Sequence, residues 1–321
     1  MKTLKKIIKL LITIACIAYL IKFFYTDRQS LRLLLKLDFL SVAYIVILTV
    51  IYFLVLNLRI KIVLEKCSGK MLPFWPIFKL LMLTNFLNLV LIQVGNIYRS
   101  IRLKKAYDIS YTSYISSFTS LLWMDTCLNI LIAVVVISMV KSDFQIGKFT
   151  AWKLFSIIGL VTVASPIIGN LLLSWIKIEN RRLAWIHSKL TEVLTATIIN
   201  LKDILYLLKV TALGIVILIL TVIAHYILFK EFGIILTVPA LLVFYVLLRL
   251  SLFIIITPGN IGVQEIAYGF ISEQMGFGMA QGVLVSVFSR ILNTSVILVL
   301  GILFGGIDLL RHRKNYQPSD K

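Results

Sequence analysis

The sequence predicts an all-α polytopic membrane protein, on three observations. Hydrophobic residues fill 60% of the 321 positions and charged residues only 15%, against roughly half and about a quarter in an average soluble domain. A water-soluble chain of that composition lacks the polar surface to cover its core. The apolar residues also gather into eight runs, most of them near the ~20 residues that cross a bilayer, and lipid makes such runs helical because their backbone groups must pair internally. The charge is one-sided, with 33 Lys+Arg against 14 Asp+Glu. These basic residues flank the apolar runs, as the positive-inside rule expects, so nucleic acid is not needed to explain a net charge of +19. Eight segments leave no stretch for a separately folding soluble domain, and a single membrane domain over 1–321 is expected.

In chain order, the first apolar segment covers 7–24 behind Lys2, Lys5 and Lys6. No small-residue cleavage site follows it, since Tyr25-Thr26-Asp27-Arg28 comes next, so it reads as a retained anchor with a cytoplasmic N-terminus. The other seven lie at 39–58, 74–94, 113–140, 154–176, 210–229, 234–257 and 281–307. The three cysteines, Cys16, Cys67 and Cys127, form no spaced set for a disulfide framework or a metal.

Segments three and seven carry an unusual feature. Gln93-Val94-Gly95-Asn96-Ile97-Tyr98-Arg99 ends the third, and Thr257-Pro258-Gly259-Asn260-Ile261-Gly262-Val263-Gln264-Glu265 ends the seventh. Both contain Gly-Asn-Ile, and each is followed by a short amphipathic stretch and a long apolar run. Gly and Asn commonly end helices, but the shared flanks also suit an internal repeat with halves near 74–140 and 234–307. Charge favours the second reading. If all eight segments cross, sixteen loop cations lie inside and twelve outside; if segments three and seven re-enter instead, the division becomes twenty-one to seven. The expected architecture is therefore six crossings and two re-entrant broken helices in an inverted repeat.

Ionisable side chains within apolar segments cost at least ~2.5–3.5 kcal/mol at the bilayer centre, so each is a candidate functional residue. Asp125 lies midway along its segment and Arg290 at nearly the corresponding place in the second half. Packing about a pseudo-two-fold axis would pair them, either as a fixed ion pair or as a site where Arg290 meets a phosphate and Asp125 holds or competes for it. Arg249 is too deep in segment seven to snorkel. Glu265 can neutralise an arginine or accept the donors of the broken backbone, which Pro258, Gly259, Asn260 and Gly262 make plausible. The helix start after the break offers free N–H groups to an anion. After the first break, Gly95 and Asn96 precede a cationic strip of Arg99, Arg102, Lys104 and Lys105, suited to head groups or to simple anchoring. Lys79 can snorkel, and His225 reads as a packed residue rather than a ligand.

The chain has no Walker A sequence, no Gly-x-Gly-x-x-Gly, no His-Glu-x-x-His and no Gly-x-Ser-x-Gly, so neither ATP-driven work nor the common hydrolase chemistries have support. Its three histidines, His187, His225 and His312, are scattered, and no metal or cofactor is expected.

The pattern Asn85-Phe86-Leu87-Asn88, Gly95-Asn96, Arg99 and Asp125, followed by Thr257 to Glu265 and then Arg290, resembles the membrane domain of lysylphosphatidylglycerol synthases and its stand-alone flippase-like relatives. Two positions depart from that family: Val94 stands where proline usually precedes the glycine, and Leu122 lies where an arginine usually accompanies the aspartate. The resemblance implies an eight-segment helical domain of the cell membrane that moves polar-headed lipids between leaflets. Its partners would be an anionic or aminoacylated phospholipid or a polyprenyl-phosphate-linked lipid, with a homo-oligomer or a separate transferase as further possible partners. The chain stops at Lys321 without the soluble aminoacyl-transferase domain of the bifunctional synthases, so a non-enzymatic role is expected. The alternative is an accessory protein that presents lipid to a separate glycosyl- or aminoacyl-transferase.

Overall fold

The computed structural model describes residues 37–90, 93–140, 145–146, 149–175, 181–251, 260 and 262–306. The first expected segment, 7–24, lies outside them, as do Pro258 and Gly259. Among the described residues ten α-helices follow in order: α1 (Phe39–Ser68), α2 (Phe74–Val90), α3 (Val94–Tyr107), α4 (Tyr111–Val140), α5 (Ala151–Trp175), α6 (Arg181–Leu201), α7 (Ile204–Glu231), α8 (Val238–Ser251), α9 (Val263–Gln274) and α10 (Met279–Gly301), the last running on as a π-helical turn to Gly306. A two-residue antiparallel ladder, Gln145–Ile146 on Phe149–Thr150, joins α4 to α5.

Among the described residues, α1, α4, α5, α7 and α10 are long and apolar enough to cross a membrane, and α2 and α8 are shorter apolar helices. The chain is a multi-pass helical membrane protein. Large apolar side chains such as Leu131, Leu160, Ile167, Leu208 and Ile219 remain exposed on these helices, which lipid tolerates and water does not. Among the described residues, segment three holds the 17 residues of α2 and segment seven the 14 residues of α8. The backbone enters the left-handed region at Gln93 (φ 66°) and at Asn260 (φ 53°), after which a helix cannot continue without interruption. A short helix then precedes a long one in each case, α3 before α4 and α9 before α10.

Two sequence expectations are corrected. The basic stretch from Arg59 to Lys70 is not a loop: α1 continues through it to Ser68, supported by the Lys61–Glu65 ion pair one turn apart at 2.9 Å. The stretch 177–202 is also more than a loop. Most of it is α6, a 21-residue amphipathic helix whose Val193 is buried.

By internal contact the chain divides into two units, one of 1–52, 85–94 and 219–321, the other of 53–84 and 95–218. The core of the first is built from Phe229, Leu241, Phe244, Tyr268, Leu284 and Leu292, with Phe229 and Phe244 edge to face at 5.0 Å. Its tightest feature is the hairpin of α9 and α10. Gly276 and Gly278 take positive φ in the turn, and Gly282 lies so close to the Tyr268 carbonyl and Ser272 that a Cβ has no room. At its other end Glu231 closes α7 onto the start of α1, accepting from the Asp38 N–H at 3.2 Å and the Ser41 hydroxyl at 2.7 Å.

The second unit packs α4, α5 and α6 together. Pro166 lies inside α5 and, having no N–H, leaves the carbonyl of Thr162 without its helical donor. The indole N–H of Trp123 supplies one from α4 and the Ser165 hydroxyl another, each at 2.7 Å. His187 of α6 meets the Leu173 carbonyl of α5 at 2.8 Å.

Candidate functional site

The second break builds a charged site within the first unit. Asn260 adopts a left-handed conformation that asparagine tolerates better than most residues, and Gly262, also at positive φ, begins α9. Three residues on, Glu265 folds its carboxylate back, so that Oε2 accepts the Gly262 N–H at 2.6 Å. Its Oε1 lies 2.6 Å from the Nε of Arg290 on α10. One carboxylate therefore satisfies a broken backbone and neutralises a guanidinium. Arg290 also donates through Nη2 to the Asn260 carbonyl at 3.2 Å and to Gln264 Oε1 at 3.0 Å. Glu265 is 3% exposed at its side chain and Arg290 26%, so the arginine alone of the pair can be reached. The Asn260 side-chain oxygen is buried without a hydrogen-bond partner.

Arg249 extends from α8 and donates to its own Tyr245 hydroxyl at 2.7 Å. His225 is buried in α7 and, besides packing, bonds Tyr268 of α9 at 2.9 Å. These side chains share the first unit with the Arg290–Glu265 pair.

The first break places Arg99 in the second unit. The buried face of α3 consists of Gly95, Arg99 and Leu103, four residues apart, while Val94, Ile97 and Ile101 are exposed. The polarity of a water-facing helix is inverted. Arg99 donates to the Tyr114 hydroxyl at 2.9 Å and to the Asn96 side chain at 3.2 Å, with its guanidinium 4.2 Å from the Phe118 ring centre. The expected cationic strip is thus divided: Arg99 is 6% exposed, Arg102 bonds Tyr98, and Lys104 and Lys105 remain outside. At the end of α3, Lys104 and Lys70 hold the Asp108 carboxyl below its ordinary range, the Lys104 hydrogen bond contributing most.

Asp125 and Arg290, expected to pair with each other, each have an ion-pair partner within their own unit. Asp125 Oδ1 lies 2.5 Å from Nη1 of Arg59, whose side chain is 2% exposed against 36% for Asp125. Arg59 Nε donates to the Val210 carbonyl of α7 at 2.9 Å. Gly214, one turn further, leaves space for the guanidinium, since a Cβ there would stand 2.9 Å from Nη2. Sequence reading missed Arg59, Tyr114, Gln264 and Tyr268. The signal for Arg59 was the Lys61/Glu65 spacing that carries α1 past the end of its apolar run; the others are ordinary polar residues whose partners lie on distant elements.

The fold and these pairs define a polytopic helical membrane protein that turns its arginines inward onto carboxylates and onto interrupted helices. It belongs to the family described as Lysylphosphatidylglycerol synthase TM region, whose model matches residues 6–301. No curated protein and no solved structure matches the chain.

Proposed function

We propose that the protein moves polar-headed lipids between leaflets, with the head-group phosphate engaging Arg290. The observation that carries this reading is the Arg290–Glu265 pair at the start of α9, 2.6 Å apart, within a chain of this family. A guanidinium matches phosphate geometry, and Glu265 neutralises Arg290 until an anion takes its place, so the guanidinium is paired in both states while Glu265 keeps the Gly262 N–H. Arg249, in the same unit, is a second cation for the anion. Arg99, beside Gly95 and Asn96, has the corresponding role at the first break. Asp125, with one carboxyl oxygen on Arg59, is an acceptor for the ammonium of an aminoacylated head group or for a proton.

In this reading segments three and seven re-enter and the remaining six cross, in an inverted repeat. The left-handed residues Gln93 and Asn260 and the inverted polarity of α3 support it. The substrate is an anionic or aminoacylated phospholipid or a polyprenyl-phosphate-linked lipid, which share the phosphate. Transport takes place in the cell membrane with both termini cytoplasmic. The chain catalyses no covalent step, and a gradient or simple equilibration drives the movement.

Leaflet exchange of fluorescent phosphatidylglycerol in reconstituted vesicles, read by dithionite quenching, tests the proposal. Arg290→Ala should reduce exchange at least tenfold, and Arg290→Lys should keep part of it, because lysine preserves charge but not the bidentate fork. Glu265→Gln retains an acceptor for the Gly262 N–H and separates charge from folding. Wild-type rates in all three variants overturn the reading. Exchange that needs a co-purified transferase would instead favour lipid presentation to that enzyme.

A further inference from the structure

The embedded arginines differ in what neutralises them. Arg59 meets Asp125 and Arg290 meets Glu265. Arg99, 6% exposed, meets no carboxylate among the described residues. Its Nε donates to the Tyr114 hydroxyl at 2.9 Å and its Nη2 to the Asn96 side-chain oxygen at 3.2 Å, both neutral groups. The Phe118 ring centre lies 4.2 Å from the guanidinium carbon and the Tyr114 ring centre 5.5 Å, which offsets a buried cation only in part. Both N–H groups of Nη1 are left without an acceptor among the described residues. A cation this deep is costly when no opposite charge answers it, and none is at hand along the chain. The helix α3 carries Arg99, Arg102, Lys104 and Lys105 and no acidic residue. Asp108, just past its end, is held by Lys104 and Lys70, and Asp125 is held by Arg59.

We propose that the first break holds a resident phosphate oxyanion at Arg99, bound in the resting protein, whereas at the second break Glu265 fills that place until an anion arrives. Tyr114 and Asn96 fix Nε and Nη2, so the guanidinium is already oriented, and the donors it has left suit the paired oxygens of a phosphate. The carrier of that phosphate follows from the other side of the helix. Ile97 and Ile101 are exposed on the outer face of α3, so α3 lies against acyl chains rather than water, and a phospholipid head group reaches it more readily than a free ion. The inference deepens the reading of Arg99 as a head-group contact and rests on it. The two breaks then have different tasks, one retaining an anion and the other exchanging it.

The test uses the full chain, washed in dodecyl maltoside to remove loosely held lipid. Native mass spectrometry of the wild type should show a retained phosphate-bearing lipid, which Arg290→Gln keeps and Arg99→Gln loses. Melting of protein stripped of that lipid then identifies the carrier, with three additions compared: dioleoylphosphatidylglycerol, dioleoylglycerol as the same chains without phosphate, and inorganic phosphate. A saturable rise in Tm with phosphatidylglycerol alone assigns a lipid phosphate. An equal rise with inorganic phosphate assigns a free anion on the same donors. Arg99→Lys keeps the charge and loses the fork, so it should need about fivefold more phosphatidylglycerol for the same rise, and it serves where Arg99→Gln does not fold. Equal stabilisation by dioleoylglycerol, or an Arg99→Lys protein that titrates as the wild type does, overturns the proposal. Leaflet exchange of fluorescent phosphatidylglycerol separates the two readings. A protein that exchanges lipid but neither retains a phosphate nor is stabilised by one rejects the resident anion and leaves transport standing; one that retains it at Arg99 and does not exchange lipid rejects transport alone.

Discussion

Arg59 is the residue that most changes the picture of this chain. It ends an apolar run in the sequence and lies buried in the middle of a helix in the structure, bound to Asp125 and to the Val210 carbonyl. Sequence reasoning singled out Asp125 and Arg290 as charges within apolar segments, because the cost of burying a charge is a local property. It did not find the partner of Asp125, because Arg59 and Asp125 are separated by the whole of α2 and α3 and only packing brings them together. Removing one member should be far worse than removing both. Asp125→Leu leaves Arg59 without its carboxylate, at a cost of about 3–5 kcal/mol, whereas Arg59→Met with Asp125→Leu should recover most of that loss. Melting in detergent measures both, and equal losses for single and double variants would show that the pair is not the cause. Gly214→Ala tests the same site from the side: a Cβ 2.9 Å from Nη2 meets a guanidinium already pinned twice, so a loss of about 1–3 kcal/mol is expected.

Among the elements, α5 shows how a membrane helix accommodates its own interruption. Pro166 removes a donor that lipid cannot replace, and Trp123 from α4 and the Ser165 hydroxyl from α5 itself both donate to the freed Thr162 carbonyl at 2.7 Å. In a Ser165→Ala background Trp123→Phe keeps most of the apolar contact and deletes the remaining donor, so it should destabilise by about 1 kcal/mol, and adding Pro166→Ala should remove most of that effect. The start of α7 is held differently. Asp203 accepts the Tyr206 N–H at 3.1 Å and the Lys66 ammonium at 2.6 Å, an N-cap and an ion pair in one side chain. These bonds, the Lys66 hydrogen bond first, hold its carboxyl below the usual range. A depressed carboxylate stabilises the fold above its unfolded value near ~3.9 and loses that contribution only as pH falls through the folded value. Melting should therefore not respond to this group between pH 5 and 8, and Asp203→Asn should flatten only the acid limb. The long apolar runs were legible as helices because composition and length determine them in lipid. The helix α6 was not, because its amphipathic pattern is too polar for a span and was counted as a basic loop.

At the scale of the whole molecule, charge and backbone conformation point to the same topology from independent grounds. The division of loop cations favours re-entry of segments three and seven, and the structure separately gives left-handed residues at Gln93 and Asn260, where those segments end. Moving Arg59 and Arg99 from loops into buried positions removes two cations from the same side in the re-entrant count, and that side remains the more basic. The two topologies differ at definite residues. If every segment crosses, Lys105 lies on the opposite side from Cys67, and Lys153 on the same side; if segment three re-enters, both relations reverse. Native Cys67 is half-buried near the end of α1 and serves as the reference once Cys16 and Cys127 are replaced by alanine. Lys105 and Lys153 are exposed, so single Lys105→Cys and Lys153→Cys variants report without disturbing a buried pair. A membrane-impermeant maleimide is applied to sealed vesicles of one orientation. In the Lys105→Cys protein it should label the introduced thiol from the same face as Cys67, and in the Lys153→Cys protein the introduced thiol should react only from the opposite face. The reverse pattern, with position 153 labelled alongside Cys67 and position 105 protected, would make segment three a crossing and remove the first broken hairpin, and with it the inverted repeat, from the transport proposal. The Arg290–Glu265 and Arg59–Asp125 pairs would then need another explanation, as two sites that fix neighbouring helices in register.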